Sequence, residues 1–207
     1  ELEEGNTLVG AAVTNGASDV MLFQSGGRAI RFKEHDVRAM GRTARGVRGI
    51  KLPGNTEVIS LIIPSPDGMI LLASQNGYGK LTEVSEFSTI GRGGQGVIAI
   101  KISERNGALV GASQVESVDE VLLISDQGTM VRTRVQEVSM QGRNTQGVRL
   151  INVGEDEHLV GMARIEDPVD SEVSDESSDD GEESESDSSA ATIVDDPSSG
   201  ADSELPA

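Results

Sequence analysis

Three seven-residue stretches decide the fold: GRTARGV at Gly41–Val47, GRGGQGV at Gly91–Val97 and GRNTQGV at Gly142–Val148. They recur at intervals of 50 and then 51 residues, and the register extends outward from them. Leu8–Leu52 (LVGAAVTNGASDVMLFQSGGRAIRFKEHDVRAMGRTARGVRGIKL), Val58–Ile102 (VISLIIPSPDGMILLASQNGYGKLTEVSEFSTIGRGGQGVIAIKI) and Leu109–Val153 (LVGASQVESVDEVLLISDQGTMVRTRVQEVSMQGRNTQGVRLINV) can be written beneath one another. A fixed period of this size marks a repeat architecture.

Each repeat reads as four short strands. An apolar opening strand (Leu8–Val13, Val58–Ile63, Leu109–Val115) leads through a polar turn to a buried-looking run (Val20–Phe23, Met69–Ala73, Val121–Ile124). A glycine turn at Gly27, Gly77 or Gly128 predicts a hairpin to a third strand. A short link then reaches the paired glycines and a closing strand, Val47–Leu52, Val97–Ile102 or Val148–Val153. There the apolar step changes from three to two, which predicts a bulge or bend just after the second glycine. Both glycines of each pair are expected at positive φ. No stretch sustains a helical period, so the chain is all-β. Four strands per repeat of this length match a propeller-like blade, whose sheet is covered only when neighbours stack on it. We expect three four-stranded blades forming an open arc over residues 1–165. A further opening strand, Leu159–Ile165, has no repeat behind it; a strand that completes a neighbouring blade accounts for it.

Charge is segregated along the chain. The formal net charge of the 207 residues is −18, yet all 17 Lys and Arg lie between Arg28 and Arg164. Residues 8–153 hold 16 bases against 13 acids, a net of +3, whereas residues 166–207 hold 16 acids and no base. A mildly basic body with an acidic appendage raises nucleic acid as a partner. The tail from 166 onward is Asp, Glu and Ser with little to bury. It is expected to be disordered, and to compete with a polyanion for the basic face. With no cysteine, disulfides and thiolate metal sites are excluded. No run approaches the roughly 18 apolar residues of a membrane span. There is neither a basic, apolar leader nor an initiating Met, and the expectation is a soluble intracellular fragment.

The glycines and valines of G-R-x-x-x-G-V are accounted for by backbone geometry. Arg42, Arg92 and Arg143 are not, and they recur at one position of an exposed loop. Other bases follow the phase incompletely. Arg31 and Arg132 correspond, with Leu81 between them, and Arg48 and Arg149 correspond, with Ile98 between them. Lys51 and Lys101 match, with Asn152 third. The expected result is a broken basic stripe on one rim that contacts phosphates, because guanidinium forks suit phosphate oxygens. With only Phe23, Phe32, Phe87 and Tyr78 as aromatics, base stacking has little to work with. No helix is available for the major groove. Bending a 20–30 base-pair duplex by 40–90° costs on the order of 1–6 kcal/mol, which several phosphate contacts could offset. A propeller-like protein-interaction scaffold is the alternative reading.

Other candidates carry less. The spacing G-x-x-x-x-G lacks the Lys-Ser or Lys-Thr of a phosphate loop. His35 and His158 are isolated and read as surface residues. Tyr78, in the turn QNGYGK, reads as a packing residue rather than a nucleophile. Asp36, Glu86 and Glu137 recur five residues before each first glycine, one per blade, and read as hydrogen-bonding residues rather than an acid–base pair.

RFKEHDVRAMGRTARGVRGIKL, ASQNGYGKLTEV and VRTRVQEVSMQGRNTQGVRLI resemble the last three blades of the C-terminal domain of the DNA gyrase A subunit, over residues 1–165 almost continuously. The resemblance implies half of a six-bladed β-pinwheel with strands exchanged between adjacent blades. It also implies a module that wraps double-stranded DNA so that a type IIA topoisomerase introduces negative supercoils. By position it places Arg42, Arg45, Arg92 and Arg143 in blade-connecting loops on the DNA-facing rim, with Arg31 and Arg132 nearby. Partners implied are a second copy of the gyrase A subunit plus the gyrase B subunit, in the bacterial cytoplasm. No catalytic residue and no cofactor is implied for this stretch; ATP and magnesium act in the partner subunit. Gln95 stands in GRGGQG where the family's signature box would have a base. The equivalent domain of topoisomerase IV is the near alternative.

Overall fold

The computed structural model describes residues 4–166, so apart from Glu166 the expectations for the acidic tail lie outside the described residues. Three hairpins form where the glycine turns were read. They are β1 (Asp19–Gln24) with β2 (Arg28–Lys33), β4 (Met69–Ser74) with β5 (Tyr78–Glu83), and β8 (Glu120–Ser125) with β9 (Met130–Arg134). Gly27, Gly77 and Gly128 take φ of 77°, 77° and 86° in the turns, the left-handed region that glycine adopts without steric cost. A single 3-10 turn follows each hairpin, and Asp36, Glu86 and Glu137 are its last residues.

The sheets are not the sequence repeats. β3 (Val58–Ile62) opens the second repeat but pairs with β1 of the first, and β6 (Val97–Ile98) closes the second repeat against β2. β7 (Leu109–Val115) and β10 (Val148–Arg149) of the third repeat likewise flank the second hairpin. The sheet orders are therefore β3-β1-β2-β6 and β10-β5-β4-β7. The third sheet is β11-β8-β9, with β11 (Leu159–Ile165) in the opening position. The first two sheets each take one repeat's hairpin and the two outer strands of the next, and the same exchange gives Leu159–Ile165 its partner in the third.

Three expectations change for that reason. Among the described residues the third sheet has three strands rather than four, because its closing strand would come from a further repeat. In the first repeat, Leu8–Val13 and Val47–Leu52 form no strand. The corresponding segments elsewhere pair with the preceding hairpin, and none precedes this repeat among the described residues. Leu8 and Val13 accordingly stand 73% and 98% exposed. The closing strands shrink to two residues before bends at Ala99–Ile100 and Leu150–Ile151, three residues past the second glycine rather than directly after it. The register shifts instead fall where opening strands meet hairpins, at Phe23/Gln24, Ala73/Ser74 and Leu159/Gly161.

The core lies between sheets. Met21, Phe23 and Ala29 of the first hairpin pack with Ile70, Leu72, Val84 and Phe87 of the second repeat. Phe23 and Phe87 meet edge to face at 5.9 Å, a preferred aromatic geometry. Leu71 and Leu81 pack with Val121, Val135 and Val138 of the third repeat. The middle sheet is thus covered on both sides: Ile70 to Ser74 and Tyr78 to Thr82 are all buried, whereas β9 alternates between exposed and half-buried. No helix among the described residues is long and apolar enough to cross a membrane.

Candidate nucleic-acid interface

The paired-glycine loops sit where one repeat meets the one before it. Their second glycines take positive φ, at 85° for Gly46, 68° for Gly96 and 80° for Gly147. A Cβ on Gly147 would lie 2.5 Å from the carbonyl oxygen of Gly79, and one on Gly96 would collide with that of Ala29. At Gly96 and Gly147 glycine is therefore required twice over, for torsion and for close approach. The first glycines, Gly41, Gly91 and Gly142, do not take positive φ, contrary to expectation, and a Cβ at any of them would meet no atom within 4 Å.

Backbone bonds then join the loops into a row. Gly93 N donates to Gly49 O at 2.6 Å and Lys51 N to Gly94 O at 2.8 Å, while Lys101 N donates to Thr145 O at 2.8 Å. The second and third loops therefore lie on the closing segment of the preceding repeat. A base from the preceding hairpin grips each junction. Arg28 donates to the carbonyls of Gln95 and Gly96 at 2.9 and 2.8 Å. Lys80, fully buried, donates to Gly142 O and Arg143 O at 2.6 and 2.7 Å and lies 3.1 Å from Thr145 Oγ1. Burial, and after it the nearby Arg143 charge, pushes the Lys80 amine down to about 8, with Glu86 acting the other way.

The phased arginines have a structural task that their sequence position did not disclose. Arg92 donates to Arg48 O at 2.7 Å and to Asp36 O at 3.2 Å. Arg143 donates to Ile98 O at 3.1 Å, with its Nε 4.0 Å from the Glu86 carboxylate. Arg48 and Ile98 are equivalent positions, so Arg92 and Arg143 are tied to the preceding repeat through the same main-chain carbonyl; Asp36 and Glu86 are also equivalent, one contacted at its carbonyl and the other at its carboxylate. Arg42 has no such acceptor before it, is exposed, and makes no hydrogen bond or ion pair to the described residues. Arg45 and Arg48 also present exposed side chains.

Arg31 departs from the expected rim. Its guanidinium pairs with Asp19 at 2.7 Å, donates to Val84 O and Phe87 O at 3.1 and 3.3 Å, and is 15% exposed. It braces the first sheet against the second repeat. Burial raises the Asp19 carboxyl, but hydrogen bonds from Lys33 and Arg31 outweigh it and the net direction is downward. Arg132 makes the corresponding cross-strand pair with Glu120 and stays 62% exposed, since no further repeat covers it among the described residues. Arg149 lies beside Tyr78, donating to its hydroxyl at 2.8 Å. Arg105, overlooked in the sequence, stacks on the same ring at 4.8 Å. Lys80 was equally overlooked, although a lysine where the other repeats hold Ile30 and Val131 was a legible signal.

Among the described residues no group of His, Asp or Glu is arranged to hold a metal ion. What the fold and the site define is a strand-exchanged β-blade repeat with a row of arginine-bearing loops. The family model described as the DNA gyrase C-terminal domain, β-propeller, matches residues 18–65, 68–116 and 119–166. Each match runs from one hairpin to the opening strand of the next repeat. The chain belongs to this family.

It is similar to the DNA gyrase A subunit of Salmonella typhimurium, 56% identical over 171 residues, which covers 83% of this chain and 20% of that one. It is also similar to the DNA gyrase A subunit of Escherichia coli K12, 51% identical over 195 residues, 94% of this chain and 22% of that one. The chain thus spans about a fifth of the length of these curated relatives. Among solved structures, a DNA gyrase A C-terminal domain superposes with TM-score 0.66 at 30% identity, covering 72% of this chain and 50% of that one. The C-terminal domain of a DNA topoisomerase IV superposes with TM-score 0.75 at 23% identity, covering 80% and 52%, a likeness of fold alone.

Proposed function

We propose that this domain binds duplex DNA along the row of arginine-bearing loops and bends it. In this reading it is the wrapping region of a DNA gyrase A subunit that contributes to negative supercoiling. The observation that carries the reading is the row itself, in which hydrogen bonds between repeats hold Gly91–Gly96 and Gly142–Gly147 against their predecessors. A guanidinium has five N–H donors, so Arg92 and Arg143 keep donors beyond their carbonyl bonds, and Arg42 commits none of its own to the described residues. Such forks pair with phosphate oxygens whatever the base sequence and displace condensed counterions. Relatives that bear the name of the DNA gyrase A subunit support the same partner. By that kinship the full assembly adds the gyrase B subunit, where ATP and magnesium act, and a second copy of the A subunit, in the bacterial cytoplasm. No catalytic residue is assigned to these repeats.

The test is a titration of a duplex of about 40 base pairs with the full chain across several salt concentrations, repeated with Arg42, Arg92 and Arg143 changed together to Glu. The log–log salt slope should fall by about 0.9 for each phosphate that is no longer neutralised. Circular dichroism checks that the variant remains folded. Equal affinity in the two proteins, or binding indifferent to salt, would favour a protein-interaction scaffold instead. The full-length protein, assembled with its partner, should introduce negative supercoils into relaxed plasmid; decatenation alone would favour topoisomerase IV.

A further inference from the structure

We propose that Arg105 and Arg149, converging on Tyr78 where the second and third repeats meet, form a binding site for a phosphate oxyanion. The two guanidinium carbons lie 4.8 and 5.3 Å from the centre of the Tyr78 ring. Arg149 Nη2 donates to the hydroxyl at 2.8 Å, and the ring is only 6% exposed. Both arginines are exposed, and neither pairs with a carboxylate among the described residues. Arg31, Arg132 and Arg164 by contrast have acidic partners at Asp19, Glu120 and Asp119.

Two cations gathered without a counter-charge repel each other. Ring contacts worth about 0.5–1 kcal/mol each at exposed sites offset this only in part. An oxyanion bridging the two forks would remove the repulsion and add charge-assisted bonds. The Arg149 side chain and the main chain that carries Arg105 are both held in place. Asn152 Oδ1 accepts from Arg149 Nη1 at 2.8 Å, and Asn76 Nδ2 donates to the carbonyls of Glu104 and Arg105 at 3.0 and 3.2 Å. The set occurs once. The first sheet has Arg28, Asn55 and Ile98 at these positions, and the third has Thr129 and Asp156. A feature present at one junction is unnecessary for stacking repeats in general, which favours a dedicated site.

The source of the phosphate rests on the DNA reading above; the site itself does not. Tyr78 supplies the readout. It is the single tyrosine, and hydrogen bonds from Arg105 and Arg149 hold its hydroxyl below the usual value of 10.0. An anion that neutralises the arginines should return it towards that value. The full chain carrying tyrosine labelled with ¹³C at Cζ would be titrated with base in chloride at low ionic strength, alone, with inorganic phosphate, and with a 40 base-pair duplex. Duplex binding would be followed in parallel by fluorescence anisotropy. The expected result is an upward shift with both additions. In Arg105→Gln and in Arg149→Gln the tyrosine should titrate higher from the outset and respond less. A shift with phosphate but not with bound duplex keeps the site and assigns it a free phosphate. A shift with phosphate while duplex fails to bind overturns the DNA reading and leaves the site standing. No shift with either, while duplex still binds, overturns the site and leaves the DNA reading intact.

Discussion

Changing Gly147 to alanine and, separately, Gly46 to alanine isolates the contact that joins one repeat to the next. The two glycines have nearly the same torsion, φ of 80° and 85°, so the strain of placing an L-residue there, about 1–2 kcal/mol, is common to both. Their surroundings differ. A Cβ at Gly46 meets no atom within 4 Å, whereas one at Gly147 lies 2.5 Å from Gly79 O, 2.9 Å from its carbonyl carbon and 3.2 Å from its Cα. A relaxed carbon–oxygen contact is roughly 3.3–3.6 Å, so β10 must retreat from β5 by close to 1 Å. That retreat disturbs the pairing of Val148 with Gly79 and Arg149 with Tyr78, and the 2.8 Å bond from Leu150 N to Gly77 O. Two or three hydrogen bonds at about 1 kcal/mol each put Gly147→Ala some 2–3 kcal/mol below Gly46→Ala. For a domain of this size that difference amounts to roughly 4–12 °C in the unfolding midpoint. Thermal melts of both variants followed by far-ultraviolet circular dichroism measure it. Coincident midpoints would refute the claim that exchanged strands are held by close approach at the second glycine.

Lys80→Met should destabilise the chain by about 2–4 kcal/mol, since it leaves the carbonyls of Gly142 and Arg143 without their buried donor. Urea denaturation reads this, and a loss under 0.5 kcal/mol would show that the loop closes without the lysine. Glu157 accepts from Ser125 Oγ at 2.5 Å and from Gly154 N at 2.8 Å. Bonds led by the one from Ser125 bring its carboxyl down to about 2 from the usual 4.5. Its depressed value means that Glu157 adds stability above pH 4.5, and that this is lost as pH falls towards 2. Glu157→Gln should therefore differ from the parent chain near neutrality and converge with it in acid. A difference independent of pH would dismiss the carboxylate as the cause.

The repeat, the all-β class and the three hairpins were legible because they rest on local chemistry: glycine turns between apolar runs, at a constant spacing. The unmatched strand Leu159–Ile165 even signalled exchange between neighbours. The incomplete ends were less legible, since Leu8–Val13 looks the same on paper as Leu109–Val115, yet only the latter has a hairpin to join. Among the site residues, the recurrence of Arg42, Arg92 and Arg143 was visible, but their tether to the preceding repeat was not. The acceptors are main-chain carbonyls of Arg48 and Ile98, and a carbonyl leaves no trace in side-chain identity.

By itself, then, the sequence determined the repeating β-unit, its register and the spacing of its basic residues, all set by interactions a few residues long. Only the tertiary structure decided which arginines are braces and which face outward. Arg31 and Arg132 share a strand position, yet one is 15% and the other 62% exposed, because a following repeat packs on the first and, among the described residues, none packs on the second. The burial of a charge depends on what lies across the sheet, a neighbour about 50 residues away in the chain.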